Sequence, residues 1–385
     1  MKPDIQNRLA ALNTSMQESR VDLCVFSDPD TIVYLCGFAN YLGMEFGRAS
    51  LLVVARGEEP MLITPSQEAE MAREMTGLHV HEWSDGVDDE WRKALAAIIE
   101  QSNAKLIGYE IDKTHPAIAR NLKAAADRRD ATLKDVTTFI GNLRVIKSDS
   151  ELATMRQAGQ VAVAMVEAGR SVIGADVPEY EVALAVIAGG TRKAAEFLEG
   201  TGGDVFSSPT IYNLQVMQSG HHTCMVHRRS SARLMKQGDP VYLCFCGIAN
   251  FKHFKLGFDR EFWIGSITDE EVHAYETAVK AQQAALAEIR PGAIAKEVHA
   301  AAEQVYLDAG FGTAYRTGRA IGYSFLEMPE LKRDDDTALE AGMTFAVDGG
   351  IGVPQKFGAR IGDSIEVTES GFNYLTNYPR ELAVV

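Results

Sequence analysis

The sequence predicts two domains of different class: an α/β domain over residues 1–143, then an α+β domain over residues 144–385 with a curved antiparallel sheet. Three observations carry this. The chain has 385 residues, more than one average domain. Up to about residue 140, strand-like and helix-like stretches alternate, the pattern of an α/β unit. Beyond the run Leu143-Arg144-Val145-Ile146-Lys147, long helices gather first and strands return only near the end, the pattern of an α+β unit.

Taken in order, residues 4–20 read as a helix, and VDLCVFSDPDTIVYLCGF gives a strand, a turn, and a second strand or short helix. EFGRASLLVVARGEEPMLITP reads as a β-hairpin around Arg56-Gly57, KLIGYEID as a strand, and the stretches near 87–103 and 115–128 as helices. In the second domain Ser148 or Asp149 caps a long helix ending at Gly169. A second helix has Pro178 in its first turn. Two more follow, the latter closing at Gly310, and then the strands MTFAVDGGIG, ARIGDSIEVTE and FNYLT.

The net charge of −15 argues against nucleic acid as a partner, which needs a basic face, and against an anionic membrane surface. No apolar run approaches the roughly 20 residues that span a bilayer, and the first residues lack a signal-peptide core. Five cysteines, several within apolar strand-like runs, suit a reduced cytoplasmic protein. Cys244 and Cys246 read as small buried hydrophobes rather than a metal pair. No glycine-rich phosphate loop is present, and no cofactor is expected.

Ser219–Gly265 is the candidate active-site stretch. It holds four of nine histidines, three of five cysteines, the turn Gly238-Asp239-Pro240 and the cluster Asp259-Arg260-Glu261. Read from residue type alone, a histidine here can exchange protons near neutral pH but is more often a structural hydrogen-bonder than a base, and Asp348, in an apolar strand, needs a partner. Arg319 is a candidate for that partner, and Asp259-Arg260 a candidate internal salt bridge. Histidines 221, 222 and 253 read as surface or supporting groups.

Six segments in order resemble the creatinase/prolidase/methionine-aminopeptidase superfamily, the pita-bread fold. They are SDPDTIVYLCGF, RVIKSDSELATMRQA, GDPVYLCFCG, GRAIGYSFLEMP, EAGMTFAVDGG and ARIGDSIEVTESGFNYLT. The resemblance implies a site where the metallopeptidases hold two metals with two Asp, one His and two Glu. Those positions fall here on Cys244, Gly257, Arg319, Asp348 and Gly362, and a further catalytic His falls on Leu326. Asp348 alone retains a carboxylate, so the resemblance points away from a metallopeptidase and toward the metal-independent creatinase-like branch. VPEYEVAL at 177–184 and Ser219-Gly220…Thr223…His227 are creatinase-like, the last matching that enzyme's catalytic histidine.

The expected chemistry is metal-independent hydrolysis of a C–N bond in a small zwitterionic guanidino, ureido or amidine acid. His227 is the expected catalytic group, with Asp259 and Asp348 holding the cationic end. In EFGRASLLVV, Phe46 and Arg48 fall on the creatinase pair whose Arg reaches the substrate carboxylate across the dimer. The resemblance thus implies a homodimer with Arg48 gripping the neighbouring subunit's ligand, and Arg319 or Arg316 as a second clamp. An ectoine hydrolase-like ring-opening enzyme and an inactive pita-bread binding protein are the alternatives, with an Xaa-Pro metallopeptidase last. The shorter Asp side chains at 259 and 348, and the basic FKHFK segment, argue against creatine itself.

Overall fold

A computed structural model describes residues 3–199, 205–211, 216–225, 227–245, 251–312 and 316–385. The chain divides into two compact units, Met1–Leu143 and Arg144–Val385.

In the first unit a six-stranded mixed sheet has the order β4-β3-β2-β1-β5-β6. Its strands are β1 (Leu23–Phe26), β2 (Leu51–Ala55), β3 (Met61–Pro65), β4 (His79–Trp83), β5 (Leu106–Tyr109) and β6 (Thr132–Asp135). All four residues of β1 are buried, as an apolar run in a sheet covered on both sides should be. The helices are α1 (Pro3–Glu18), α2 (Pro29–Cys36), α3 (Tyr41–Phe46), α4 (Ser66–Thr76), α5 (Trp91–Ser102), α6 (Pro116–Asp127) and α7 (Thr137–Val145). SDPDTIVYLCGF resolves to a helix: Asp28 caps α2 by accepting from the Thr31 N–H, and Gly37 closes it at φ 80°. β2 and β3 form the hairpin around Arg56-Gly57, but its expected lead-in is helical, with Glu45 and Phe46 ending α3.

The second unit is built on an eight-stranded antiparallel sheet. It comprises β7 (Val216–Ser219), β8 (Pro240–Cys244), β9 (Asp259–Trp263), β10 (Gly318–Ala320), β11 (Glu327–Leu331), β12 (Thr344–Val353), β13 (Phe357–Thr368) and β14 (Gly371–Tyr374). Two helix pairs accompany it: α8 (Asp149–Arg170) with α9 (Glu179–Glu199), and α10 (Asp269–Glu288) with α11 (Ala295–Asp308). Ser148 and Glu151 form a reciprocal capping box at α8, as Thr268 and Glu271 do at α10, satisfying amides that would otherwise be orphaned. α10 lies so close to β12 that a Cβ on Gly349 would sit 2.1 Å from the Ala278 carbonyl oxygen. Gln282 seals the contact by donating to the Val347 carbonyl at 3.0 Å.

Strand alternation then sorts the chemistry. Arg260 and Asp363 face the α10 side, with Gln282 donating to Asp363. Their neighbours Asp259 and Gly362 face the other way. Among the described residues no helix is long and apolar enough to cross a membrane.

Candidate active site

Four strands each place one residue in a single row across the sheet. Cys244 on β8 is the register partner of Asp259 on β9, Asp259 of Gly362 on β13, and Gly362 of Asp348 on β12. From β10, Arg319 Nη1 donates to Asp348 Oδ2 at 2.6 Å, while its guanidinium lies 4.0 Å from the centre of the Phe325 ring. Two glycines make room for this row. A Cβ on Gly362 would stand 2.7 Å from Asp348 Oδ1 and 3.0 Å from Asp259 Oδ2, so the two carboxyls converge where a side chain would be. A Cβ on Gly257 would stand 2.7 Å from the Ala346 Cβ and 3.1 Å from Arg319 Nη2.

Asp259 is buried, and its Oδ2 accepts a 2.9 Å hydrogen bond from the Tyr242 hydroxyl. Burial first, and the charge of Asp348 second, push its carboxyl above the usual range; hydrogen bonds from Cys244 and Tyr242 and the charge of Arg319 oppose the rise. Neighbouring Glu261 is pushed well above its usual range by burial, although it accepts from the Arg360 backbone N–H at 2.9 Å. The row opens into a cavity of about 550 Å³, whose walls include His227, Tyr306, Phe311, Arg316, Arg360 and the glycines of β12. Burial lifts the Tyr306 phenol to about 12, and its oxygen accepts from the Gly350 N–H at 2.8 Å.

His227 sits exposed in the turn that follows the 3-10 segment Gly220–Cys224. Fully buried Glu179 at the start of α9 anchors that region. It accepts from Ser219 Oγ and Ser231 Oγ, both at 2.7 Å, and from Arg228 Nη1 at 3.0 and 3.1 Å. Burial opposes the charge on Glu179, but the hydrogen bonds from Ser231, Ser219 and Arg228 outweigh it and hold the carboxyl below its ordinary range. The segments VPEYEVAL and Ser219-Gly220…Thr223…His227 are thus joined physically through Glu179 and Ser219.

The structure brings His227, Asp259, Asp348, Arg316 and Arg319 to one cavity. Arg319 is the partner that Asp348 requires. Arg316 is engaged as well, with Nη1 2.7 Å from Glu330 Oε2. Arg260 does not pair with the Asp259 carboxylate: adjacent strand residues point to opposite faces, and its Nη2 reaches Asp363 Oδ1 at 2.8 Å instead. Phe46 and Arg48 belong to the first unit, where Phe46 is exposed and Arg48 pairs with Asp85. Cys246 lies outside the described residues, and Cys24 and Cys36 are buried thiols lifted to about 12 by burial. Sequence reasoning missed Tyr242, Tyr306 and Arg360. The first and last stand two residues before Cys244 and Gly362, so period-2 counting from the matched positions would have found them.

An antiparallel sheet with a polar row beneath a cavity, preceded by an α/β unit, is the architecture of the pita-bread proteins. Residues 153–369 match the metallopeptidase family M24, and residues 8–146 match the creatinase/prolidase N-terminal domain. The chain belongs to family M24, a family of hydrolases. It is 30% identical to a protein named "Agropine synthesis cyclase" from Rhizobium rhizogenes, over 97% of this chain and 96% of that one. It is 26% identical to an "Xaa-Pro dipeptidase" from Pyrococcus furiosus, over 98% of this chain and 100% of that one. A crystal structure of a prolidase from Thermococcus sibiricus superposes with a TM-score of 0.86 at 22% identity, covering 100% of both chains, which shows the fold.

These relatives overturn the expectation of a creatinase-like hydrolase of non-peptide C–N bonds: the full-length similarity runs to Xaa-Pro dipeptidases and a cyclase. The site gives a physical reason. Asp348, expected to hold a substrate guanidinium, already holds that of Arg319, and Asp259 is a buried carboxyl pushed toward its neutral form.

A two-metal centre of the family's kind does not fit this site either. The positions that resemble its ligands carry a thiol, two glycines, a guanidinium and one carboxylate, and the guanidinium is bonded to that carboxylate. Among the described residues no group of three His, Cys, Asp or Glu side chains is placed to hold a metal ion.

Proposed function

We propose that the chain is a cyclase-type acyl-transfer enzyme, acting on a small amide whose own hydroxyl or amine replaces water as the nucleophile. A peptidase scaffold is organised to break a carbonyl–nitrogen bond. When an internal nucleophile attacks that carbonyl, a ring forms and the amine leaves, which reconciles a cyclase with dipeptidases among the relatives. The observation that carries the reading is the converging pair Asp259 and Asp348, with Arg319 bonded to the latter, on the floor of the cavity.

In the reaction the hydroxyl oxygen bonds to the amide carbon and the carbon–nitrogen bond breaks. His227 takes the hydroxyl proton and Asp259 gives its own to the leaving nitrogen; a proton then returns from His227 to Asp259 through solvent. Burial first, and the charge of Asp348 second, keep Asp259 protonated, against the opposing charge of Arg319. Cys244 and Tyr242 fix the acid's orientation through their hydrogen bonds to it. In the assembly we infer, a homodimer, Phe46 and Arg48 serve the neighbouring subunit's site.

The purified protein is offered a panel of hydroxy-amides and a panel of Xaa-Pro dipeptides, each with a chelator and with added manganese. The expected product, read by mass spectrometry, is a hydroxy-amide lighter by one ammonia, formed equally in chelator. Dipeptide cleavage that appears only with added metal would favour the Xaa-Pro dipeptidase reading that the 26%-identical relatives support, and would sink the cyclase.

A further inference from the structure

The cavity's charges cancel in pairs, with one exception. Arg319 pairs with Asp348 and Arg316 with Glu330, while burial pushes Asp259 and Glu261 toward neutrality. Arg360 remains. Its guanidinium lines the cavity, yet makes no hydrogen bond or ion pair to any described residue, and its Nε is buried without a partner among them. Glu261 accepts from the Arg360 backbone N–H rather than from its side chain, and burial pushes that carboxyl toward its neutral form.

The guanidinium is held rather than loose. It lies 5.8 Å from the centre of the Tyr242 ring and crosses over Gly350, its register partner on β12. A Cβ on Gly350 would be 3.5 Å from Arg360 Cγ and 3.7 Å from Nη1, so the absent side chain leaves that nitrogen uncovered. An arginine guanidinium keeps its proton at any ordinary pH, so the charge persists here although burial works against it. A fixed planar fork with open donors, beside a floor of glycines, matches one chemical class well.

We propose that Arg360 is the anion-binding residue of the cavity and selects ligands that carry a carboxylate. That role was expected of Arg48, with Arg319 or Arg316 as a second clamp, and each of these guanidinia has a carboxylate of its own. The inference deepens the cyclase reading, since it rests on this cavity being the substrate site. It sets the substrate's carboxylate at the Tyr242–Gly350 end and its reacting amide over the Asp259–Asp348 row.

The test is calorimetric titration of N-acetylglycine against its neutral isostere N-acetylglycinamide, at low salt and without turnover. The carboxylate is expected to bind at least tenfold more tightly than the amide. Arg360→Gln abolishes that preference, Arg360→Lys keeps part of it as a point charge, and Arg316→Gln leaves it intact. Should Arg360→Gln fail to fold by circular dichroism, Gly350→Val, which covers Nη1 while keeping the charge, is expected to lose the preference equally. An unchanged preference in Arg360→Gln, or in a folded Gly350→Val, overturns the proposal, as does its loss in Arg316→Gln. Carboxylate binding through Arg360 without any cyclisation removes the cyclase reading and leaves this one standing. Cyclisation with the same KM in Arg360→Gln does the reverse.

Discussion

The two faces of β9 and β13 carry charged clusters one residue apart that do opposite things. On the α10 side, Asp363 accepts from Arg260 Nη2 at 2.8 Å, Arg380 Nε at 3.0 Å, Thr376 Oγ1 at 3.0 Å and Gln282 Nε2 at 3.2 Å. Arg260 donates onward to the carbonyls of Gly362, Tyr378 and Pro379. The fold closes around a pair that is fully satisfied. On the cavity side, Asp259 and Asp348 converge with one guanidinium bonded to the latter, and Asp348 Oδ1 has no hydrogen-bond partner among the described residues. The same backbone thus supplies a rigid clamp and, one residue away, an incompletely satisfied row able to take a ligand or hand over a proton.

The largest effect should come from breaking the clamp. Asp363→Ala leaves Arg260 buried without its carboxylate, and removing one partner of a buried pair costs about 3–5 kcal/mol. Urea unfolding should show that loss in a cooperative transition. A change below about 1 kcal/mol, the range of surface pairs, would mean that the two faces are not energetically distinct.

Asp259→Asn should separate the faces in the other direction. Turnover of the hydroxy-amide is expected to fall by about 10²–10⁴-fold, the usual worth of a general acid. Stability should not fall with it. Because the folded carboxyl is raised, its favourable contribution is complete only below the unfolded carboxylate range and is lost as pH rises through the raised folded value. The variant, lacking that penalty, should therefore match the wild type in acid and exceed it in melting temperature at neutral pH. Destabilisation at neutral pH would show that Asp259 is ionised and structural.

Gly362→Ala probes the space between the carboxyls. Its Cβ would press on Asp348 Oδ1 at 2.7 Å, and overpacking of this kind costs about 1–3 kcal/mol. Thermal melting should show the loss, and ligand binding should weaken with it. A neutral outcome would mean that the two carboxyls part easily and do not act as a unit.

Much of this fold was legible because long helices announce their ends. Ser148 or Asp149 marked the start of α8 and Gly169 its end, and the apolar runs at β1, β5, β12 and β13 marked strands. Short polar elements gave no such signal: β4 reads HVHEW and β6 reads TLKD, and both become strands only by pairing with neighbours. In the site, motif positions located the row, and Arg319 beside Asp348 was already a candidate pair. What sequence order hid was facing. Asp259 and Arg260 are neighbours in the chain but look to opposite sides of the sheet. Arg360 shows its importance only once cross-strand register sets it against Gly350 and every other cationic neighbour is seen to be paired.

The smallest expected effect lies in the first unit, where Arg48 pairs with Asp85 and both side chains are nearly half exposed. An exposed pair contributes about 0–1 kcal/mol, so Arg48→Ala should leave the melting temperature of the protein almost unchanged. If Arg48 serves a neighbouring subunit's substrate, the same variant should raise KM severalfold with little change in kcat, and light scattering should show a dimer before and after the substitution. An unchanged KM, or a monomeric wild type, would leave Arg48 a surface charge. Arg360 would then be the cation on which carboxylate recognition rests, and the contrast between the two faces of the sheet would account for the site within one subunit.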